Sequence, residues 1–192
     1  MPRRGYIPKP RVGPRHEGQP WDTEPLSRAT PRGLRPKGSA MPQSLSAVYV
    51  HAVFSTKGRR PFLREAVVRT EMHAYLGGIS KQLDCPPLIV GGIDDHVHLL
   101  VRFGRTITQA DWIKEIKRVS SVWIKERAPD DCNDFAWQAG YGVFSVSRSR
   151  LDAVHGYIAT QDQHHRKASF EDEFRGLLRK HEMAWDERYV WD

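Results

Sequence analysis

The stretch Leu88-Ile-Val-Gly-Gly-Ile-Asp-Asp-His-Val-His-Leu-Leu-Val-Arg-Phe103 decides the fold predicted for this chain. Two apolar runs flank Asp94 and Asp95, which favour a turn, so the stretch predicts a β-hairpin. Residues two apart in a strand point the same way, which places His96 and His98 together on one face. The opposite face is apolar and should pack on the core; it consists of Val97, Leu99, Val101 and Phe103.

The segments around this hairpin predict alternating strands and helices. Strands are expected over residues 46–54, 88–93 and 96–103, with two strand pieces over 135–138 and 142–146. Helices are expected over 64–83, from the capping box Thr106-x-x-Gln109 to 128, from Ser147 or Ser149 to 166, and from Ser169 to 181. The order β-α-β-β-α-β predicts an α+β, ferredoxin-like split βαβ fold with an antiparallel sheet and helices on one face. An added C-terminal helix carries a tyrosine, and the second face of the sheet would stay free for a site.

The first strand alternates in the same way as the hairpin. Tyr49 and His51 should lie on the histidine face, where His51 could contact a nucleic acid or be a simple surface histidine. The side chains expected to face the core are Val48, Val50, Ala52 and Phe54. The first helix should add Val67, Met72, Tyr75, Leu76 and Ile79 to that core.

The net charge of +7 is concentrated at the amino terminus. Residues 1–40 hold nine basic and three acidic residues with eight of the 13 prolines, which predicts a disordered basic tail. This tail could be a nonspecific DNA-binding arm, or an upstream extension without a role if Met41 is the true start. Residues 41–192 carry a net charge of only +1 and predict a single folded domain.

Other sequence features exclude several classes of protein. No apolar run approaches the about 18 residues of a membrane span, so no membrane association is expected. The amino terminus has no secretory signal, which favours a cytoplasmic protein. Cys85 and Cys132 lie far apart without CxxC spacing, so a disulfide framework or a zinc finger is not expected.

The His96 and His98 imidazoles are close enough on one strand face to share a cation. Imidazole suits several transition metals, and it can join a Mg²⁺ site that oxygen ligands complete. The pair alone is weak evidence, because two surface histidines on a strand would show the same pattern.

A second candidate set lies on the helix that begins near residue 149. Tyr157, Gln161 and His164 follow i, i+4, i+7 spacing beside the apolar stripe of Leu151 and Ile158. A phenol can attack phosphorus when its proton is lost and a cation offsets the phosphate charge. The alternative is a tyrosine at the core edge with a solvated glutamine beside it.

The segment from Asp95 to Leu100, followed by Tyr157-Ile-Ala-Thr-Gln161, resembles the single-tyrosine transposases of the HUH endonuclease class, which includes the IS200-like and REP-associated tyrosine transposases. HUH denotes two histidines around a hydrophobic residue. Two further segments share this resemblance, Val48-Tyr-Val-His-Ala-Val-Phe-Ser-Thr-Lys57 and Trp137-Gln-x-Gly-Tyr-x-x-Phe-Ser-Val146. The resemblance covers residues 41–192.

This resemblance implies a metal-dependent DNA strand-transfer enzyme. His96 and His98 would bind Mg²⁺ or Mn²⁺ with Gln161 as third ligand, although His164 or His165 could replace or supplement Gln161. Tyr157 would attack a phosphodiester and leave a 5′-phosphotyrosine link with a free 3′-OH. The substrate would be single-stranded DNA with hairpin ends, and the enzyme would be a homodimer.

Basic residues outside the tail are candidates for DNA contact. Candidate phosphate-binding cations are Lys57, Arg59, Arg60, Lys117 and Arg118, with Lys114 and Lys125 on the same helix, although a solvated helix face has the same composition.

A domesticated, catalytically inactive hairpin-binding protein is the main alternative function, and a host nickase acting on palindromes shares the chemistry. A histidine-triad nucleotide hydrolase is disfavoured because Leu100 stands where a third alternating histidine is required.

Overall fold

A four-stranded antiparallel sheet carries two long helices on one face. The computed structural model describes residues 45–165 and 169–191, so the tail predicted for residues 1–40 lies outside the described residues. The strands are β1 (Tyr49–Ser55), β2 (Pro87–Gly92), β3 (His96–Arg102) and β4 (Gly142–Val146), and the helices are α1 (Ala66–Gln82), α2 (Gln109–Arg127), α3 (Pro129–Cys132), α4 (Leu151–Ala159), α5 (Gln161–His164) and α6 (Phe170–Lys180). The strand order β2-β3-β1-β4 confirms the predicted ferredoxin-like α+β fold.

The main core lies between the sheet and helices α1 and α2. Alternate residues of β1 and β3 face it as predicted, and the β3 residues Val97, Leu99 and Val101 are fully buried. Two core predictions were wrong. Val48 is half exposed because β1 begins only after it, and Val67 points outward because its neighbour Val68 occupies the buried side of α1.

Two local predictions need correction. Helix α2 is capped by Thr108, whose hydroxyl accepts from the Asp111 amide at 3.1 Å, so the capping box at Thr106 was wrong by two residues. The strand piece expected over 135–138 makes only one bridge, between Thr56 and Trp137. Backbone hydrogen bonds join this segment to Ser55 and Lys57, and the Trp137 indole donates to Ser120 Oγ at 2.9 Å.

The sheet face expected to stay free is covered by the C-terminal helices. Leu151 and Ile158 of α4 pack on Leu100, while Phe174 of α6 packs on Phe144 of β4. These residues give the second face its own apolar surface, which has to be buried. The tyrosine helix predicted to residue 166 is interrupted at residue 160, between α4 and α5. No described helix is long and apolar enough to cross a membrane.

Helix α4 approaches the sheet closely at Gly91. A Cβ atom on this residue would lie 2.7 Å from Ile158 Cγ2 and 2.9 Å from the Ile158 carbonyl oxygen. We expect Gly91→Ala to lower the free energy of unfolding by about 1–3 kcal/mol, because the new methyl group forces the helix away from the strand. Urea unfolding of the purified protein measures this loss.

Gly78 provides the matched control. It lies inside α1, and nothing lies within 4 Å of a Cβ atom built there. Gly78→Ala should therefore raise the stability by up to about 1 kcal/mol through better helix propensity. Equal stabilities for the two alanine variants would contradict the close approach of α4.

Candidate active site

The sheet register brings three histidines to the face beneath the C-terminal helices. His98 of β3 pairs with Val53 of β1, and His96 pairs with Ser55. His51 lies two residues before Val53 on β1, so its side chain points to the same face. Because α4 and α6 cover this face, the three side chains are buried, with exposed fractions of 0% for His96 and His98 and 3% for His51. The histidine pair therefore lies in a closed interior and does not project from an open face.

A carboxylate from α6 lies at the centre of this interior. Glu173 accepts a hydrogen bond from the Tyr157 hydroxyl and another from Gln161 Nε2 at 2.9 Å. His165 Nε2 lies 2.8 Å from the second carboxylate oxygen. Tyr157 and Gln161, on separate helices, are thus held by one acceptor.

The same carboxylate faces the histidine pair. His96 Nε2 lies 3.5 Å from one Glu173 oxygen, and His98 Nε2 lies 3.4 Å from the other. The structure therefore brings together all four residues predicted for catalysis and metal binding, around a fifth that was not predicted.

The donor atoms of this cluster fit a metal ion. His96 Nε2, His98 Nε2 and Gln161 Oε1 are buried and make no hydrogen bond within the described part of the chain. Buried polar atoms are seldom left unpaired, and these three atoms are the ones a cation would use. A second grouping, of His96, His165 and Glu173, has donor atoms within 4.8 Å of one another. His96 belongs to both sets, and Glu173 contacts the members of both.

Sequence reasoning missed Glu173, although a signal was present. The helix from Ser169 was predicted, and its apolar stripe contains Phe170, Phe174 and Leu178. Glu173 lies three residues after Phe170 and next to Phe174, so it falls on the buried side of the helix. An acidic residue within an apolar stripe is rarely buried without partners, and this mismatch marks a functional candidate.

The protonation states suit a ligand set. Burial lowers the pKa of His98 to about 4 against the opposing charge of Glu173, and it lowers the pKa of His51 to about 3. Burial raises the pKa of Glu173, but its contacts with His165, His98 and His96 outweigh burial and hold that pKa well below its usual range. Near neutral pH the His98 imidazole is therefore neutral and the Glu173 carboxylate is charged, which are the forms that bind cations.

The candidate nucleophile is protonated in this arrangement. Burial raises the pKa of Tyr157 well above its usual range, and the adjacent Glu173 charge raises it further. The phenol is therefore a hydrogen-bond donor to Glu173 and not yet a nucleophile.

A cleft of about 730 Å³ opens beside Tyr157, between the end of β4, helix α4 and helix α6. Its lining includes Arg150 and Lys180, both exposed, and neither has an ion-pair partner among the described residues. The same lining carries Asp172 and Glu173, so the two cations offset acidic side chains beside the phenol.

The predicted DNA-binding cations near β1 lie on the surface. Arg59 forms an ion pair with Glu171 of α6 at 2.8 Å, and Arg60 forms one with Asp134. Lys57 is exposed in the 3₁₀ turn that follows β1. DNA contact by these three residues stays a prediction.

Two of the cations predicted on α2, Lys117 and Arg118, differ from each other. Arg118 is exposed and pairs with Glu115 at 2.6 Å, so its DNA contact also stays a prediction. Lys117 Nζ donates to the carbonyl oxygens of Gln138 at 2.9 Å and Gly140 at 2.6 Å, and burial lowers its pKa to about 8. Lys117 thus fixes the loop before β4, and this role leaves its ammonium group little capacity for a phosphate.

Comparison with known families identifies the chain. Residues 44–161 match the family model described as "Transposase IS200 like". The chain belongs to the IS200-like transposase family. This transposase carries Tyr157, His96, His98 and Gln161 within the matched segment, whereas Glu173 lies beyond it. Family membership makes the protein a transposase and assigns it to DNA transposition.

Two solved structures that are similar to this transposase are themselves described as transposases. A candidate transposase from Deinococcus radiodurans matches with a TM-score of 0.50 and 21% identity, over 64% of this chain and 97% of that chain, which supports the fold. A REP-associated tyrosine transposase solved with a REP hairpin matches with a TM-score of 0.46 and 12% identity, over 66% of this chain and 73% of that chain. No curated protein matches the chain.

The lowered histidine pKa values predict an acid-sensitive fold. Between about pH 4 and 6.5 the unfolded chain binds protons at His51 and His98 that the metal-free folded state excludes. The free energy of unfolding should therefore fall on acidification from pH 7 to 5, at up to about 1.4 kcal/mol per pH unit for each histidine. Urea unfolding at pH 7, 6 and 5 measures this slope.

His51→Gln tests the assignment, because it removes one of the two titrating groups. This variant should show a shallower dependence on pH over the same range. An identical slope for the variant and the parent protein would contradict a contribution from His51.

Proposed function

We propose that this transposase cleaves and rejoins single-stranded DNA through a covalent intermediate on Tyr157. The convergence of Tyr157, Gln161 and the His96/His98 pair on one buried carboxylate is the observation that carries this proposal. A nucleophile beside a set of cation-binding groups is what phosphoryl transfer requires.

The proposed chemical step is a displacement at phosphorus. Tyr157 Oη forms a bond to the phosphorus atom, and the bond from phosphorus to O3′ breaks. Because the pKa of Glu173 is held well below its usual range, the phenol proton passes to solvent water in the cleft, and O3′ leaves with the electron pair and takes up a proton from that water. The products are a 5′-phosphotyrosine and a free 3′-OH, and attack by another 3′-OH reverses the step and joins strands.

The metal would be held by His96 Nε2, His98 Nε2 and Gln161 Oε1, with Glu173 as a carboxylate ligand. When bound, Mg²⁺ or Mn²⁺ supplies positive charge that offsets the phosphate and favours the ionised phenol. Two neutral imidazoles with one charged and one neutral oxygen ligand suit Mn²⁺ and can accept Mg²⁺.

The proposed substrate is single-stranded DNA with hairpin ends, as the family resemblance implies. The cleft between α4 and α6 provides a path to Tyr157, and Arg150 and Lys180 would contact phosphates along it. We propose that residues 41–192 form the catalytic unit and that it works as a homodimer. A purely hairpin-binding protein is the alternative, and it would form no covalent DNA adduct.

Adduct formation tests the nucleophile. Incubation of the protein with single-stranded hairpin DNA and Mn²⁺ should give a protein–DNA adduct on a denaturing gel, and Tyr157→Phe should abolish it because the attacking oxygen is lost. Tyr189→Phe is the matched control, because Tyr189 is 70% exposed and lies outside the site; it should form the adduct like the parent. An undiminished adduct with Tyr157→Phe would sink the assignment.

The same adduct assay tests whether cleavage depends on a metal ion. A chelator and His96→Ala should both remove the adduct, because each deprives the site of its cation. Full activity in chelator would show that the cluster serves another purpose.

Glu173→Gln tests the carboxylate as a ligand. The amide preserves the side-chain volume but removes the charge, so we expect Mn²⁺ affinity to fall by about 10-fold or more in isothermal titration calorimetry without DNA. Glu171→Gln is the matched control on the same helix, because its carboxylate pairs with Arg59 and lies outside the cluster. Equal Mn²⁺ affinities for the two variants would exclude Glu173 from the ligand set.

A further inference from the structure

His51 contacts His98, one of the proposed metal ligands, on the side of the ring that faces away from Glu173. Its Nε2 atom lies 2.9 Å from His98 Nδ1, the ring nitrogen that faces away from Glu173. The two rings are stacked, with centroids 5.1 Å apart and planes inclined by 23°. Both side chains are buried, so water does not compete for this contact.

This contact restricts the tautomer of His98. A neutral imidazole has one N–H and one lone pair, so His98 can offer Nε2 to a cation only when its proton lies on Nδ1. Nδ1–H then needs an acceptor, and His51 Nε2 is the atom within hydrogen-bond distance. With the reverse assignment, His98 would present an N–H to the site and could not bind a cation there.

The other histidine has an equivalent support. His96 Nδ1 lies 2.7 Å from the Asp95 carboxylate, which leaves His96 Nε2 directed toward Glu173. In both His96 and His98, Nδ1 therefore contacts a polar neighbour, whereas Nε2 has no hydrogen-bond partner among the described residues. Such outer contacts orient metal-binding histidines in proteins generally.

We infer that His51 is a positioning residue that holds His98 in its metal-binding tautomer and orientation. This role replaces the sequence-based interpretations of His51 as a DNA contact or a surface histidine, because its ring is buried against His98. The inference rests on the proposed metal site, and it assigns the β1 histidine to the support of that site.

Mn²⁺ binding to the DNA-free full-length chain tests this role. His51→Phe keeps a ring of similar size but removes the acceptor, and the dissociation constant for Mn²⁺ should rise by about 10- to 100-fold in isothermal titration calorimetry. His51→Gln keeps an acceptor for His98 Nδ1–H and should restore most of the affinity. Urea unfolding of each metal-free variant checks that the protein is folded.

His181→Phe is the matched control. His181 lines the same cleft and packs on Phe144 with ring centroids 4.8 Å apart, but it does not contact the ligand set. This variant should bind Mn²⁺ as the parent does.

Three outcomes would overturn the inference. Unchanged Mn²⁺ affinity in a folded His51→Phe protein would remove the positioning role while leaving the metal site intact. Equal losses in His51→Phe and His51→Gln would show that the hydrogen bond is not the cause. Absence of Mn²⁺ binding to the parent protein would overturn this inference together with the metal proposal, whereas the adduct assay reports on Tyr157 independently.

Discussion

The buried charge of Glu173 is the constraint on which the rest of the site depends. An ionised carboxylate in an apolar interior is costly unless hydrogen bonds and positive or polar partners surround it. Here Tyr157 and Gln161 donate to it, while the three imidazoles of His96, His98 and His165 surround its two oxygens. The requirement to satisfy one charge therefore fixes the relative positions of β3, α4, α5 and α6.

That constraint also explains why the sheet has two apolar faces. A carboxylate can be buried only if the helix that carries it packs tightly, and Phe170 and Phe174 supply that packing on the second face. The interruption at residue 160 lets α5 turn independently of α4, so that Tyr157 and Gln161 reach the same carboxylate from different helices. Local irregularity and close packing thus both serve the polar cluster.

Much of the fold was readable from local patterns. The alternation of β3 identified the core face, and the cap at Ser169 predicted the start of α6, where its hydroxyl accepts from the Asp172 amide at 3.2 Å. The short motifs also selected the four residues that converge in the structure. These features depend on neighbouring residues, for which periodicity is a direct guide.

The missed features depend on contacts between distant segments. Glu173 and His98 are far apart in sequence, and nothing local indicates that α6 folds back over the histidines. The same holds for Lys117, whose charge predicted a solvated or DNA-binding surface but whose ammonium group bonds to a loop beyond the end of α2. Burial of a polar side chain is a property of tertiary packing, so composition alone assigns it wrongly.

The electrostatics of the cluster link the metal to the substrate. A phosphodiester that reaches Tyr157 brings a negative charge next to the Glu173 carboxylate, and like charges in a poorly hydrated interior repel strongly. Burial and the same carboxylate keep the phenol protonated, because both raise the pKa of Tyr157. Both obstacles would diminish if a cation were bound by the carboxylate and by the two imidazole nitrogens that have no partner among the described residues. A positive charge at that position would favour entry of the proposed anionic substrate and ionisation of Tyr157 together, so the proposed ligand geometry and the proposed reactivity of Tyr157 would be two consequences of one electrostatic arrangement.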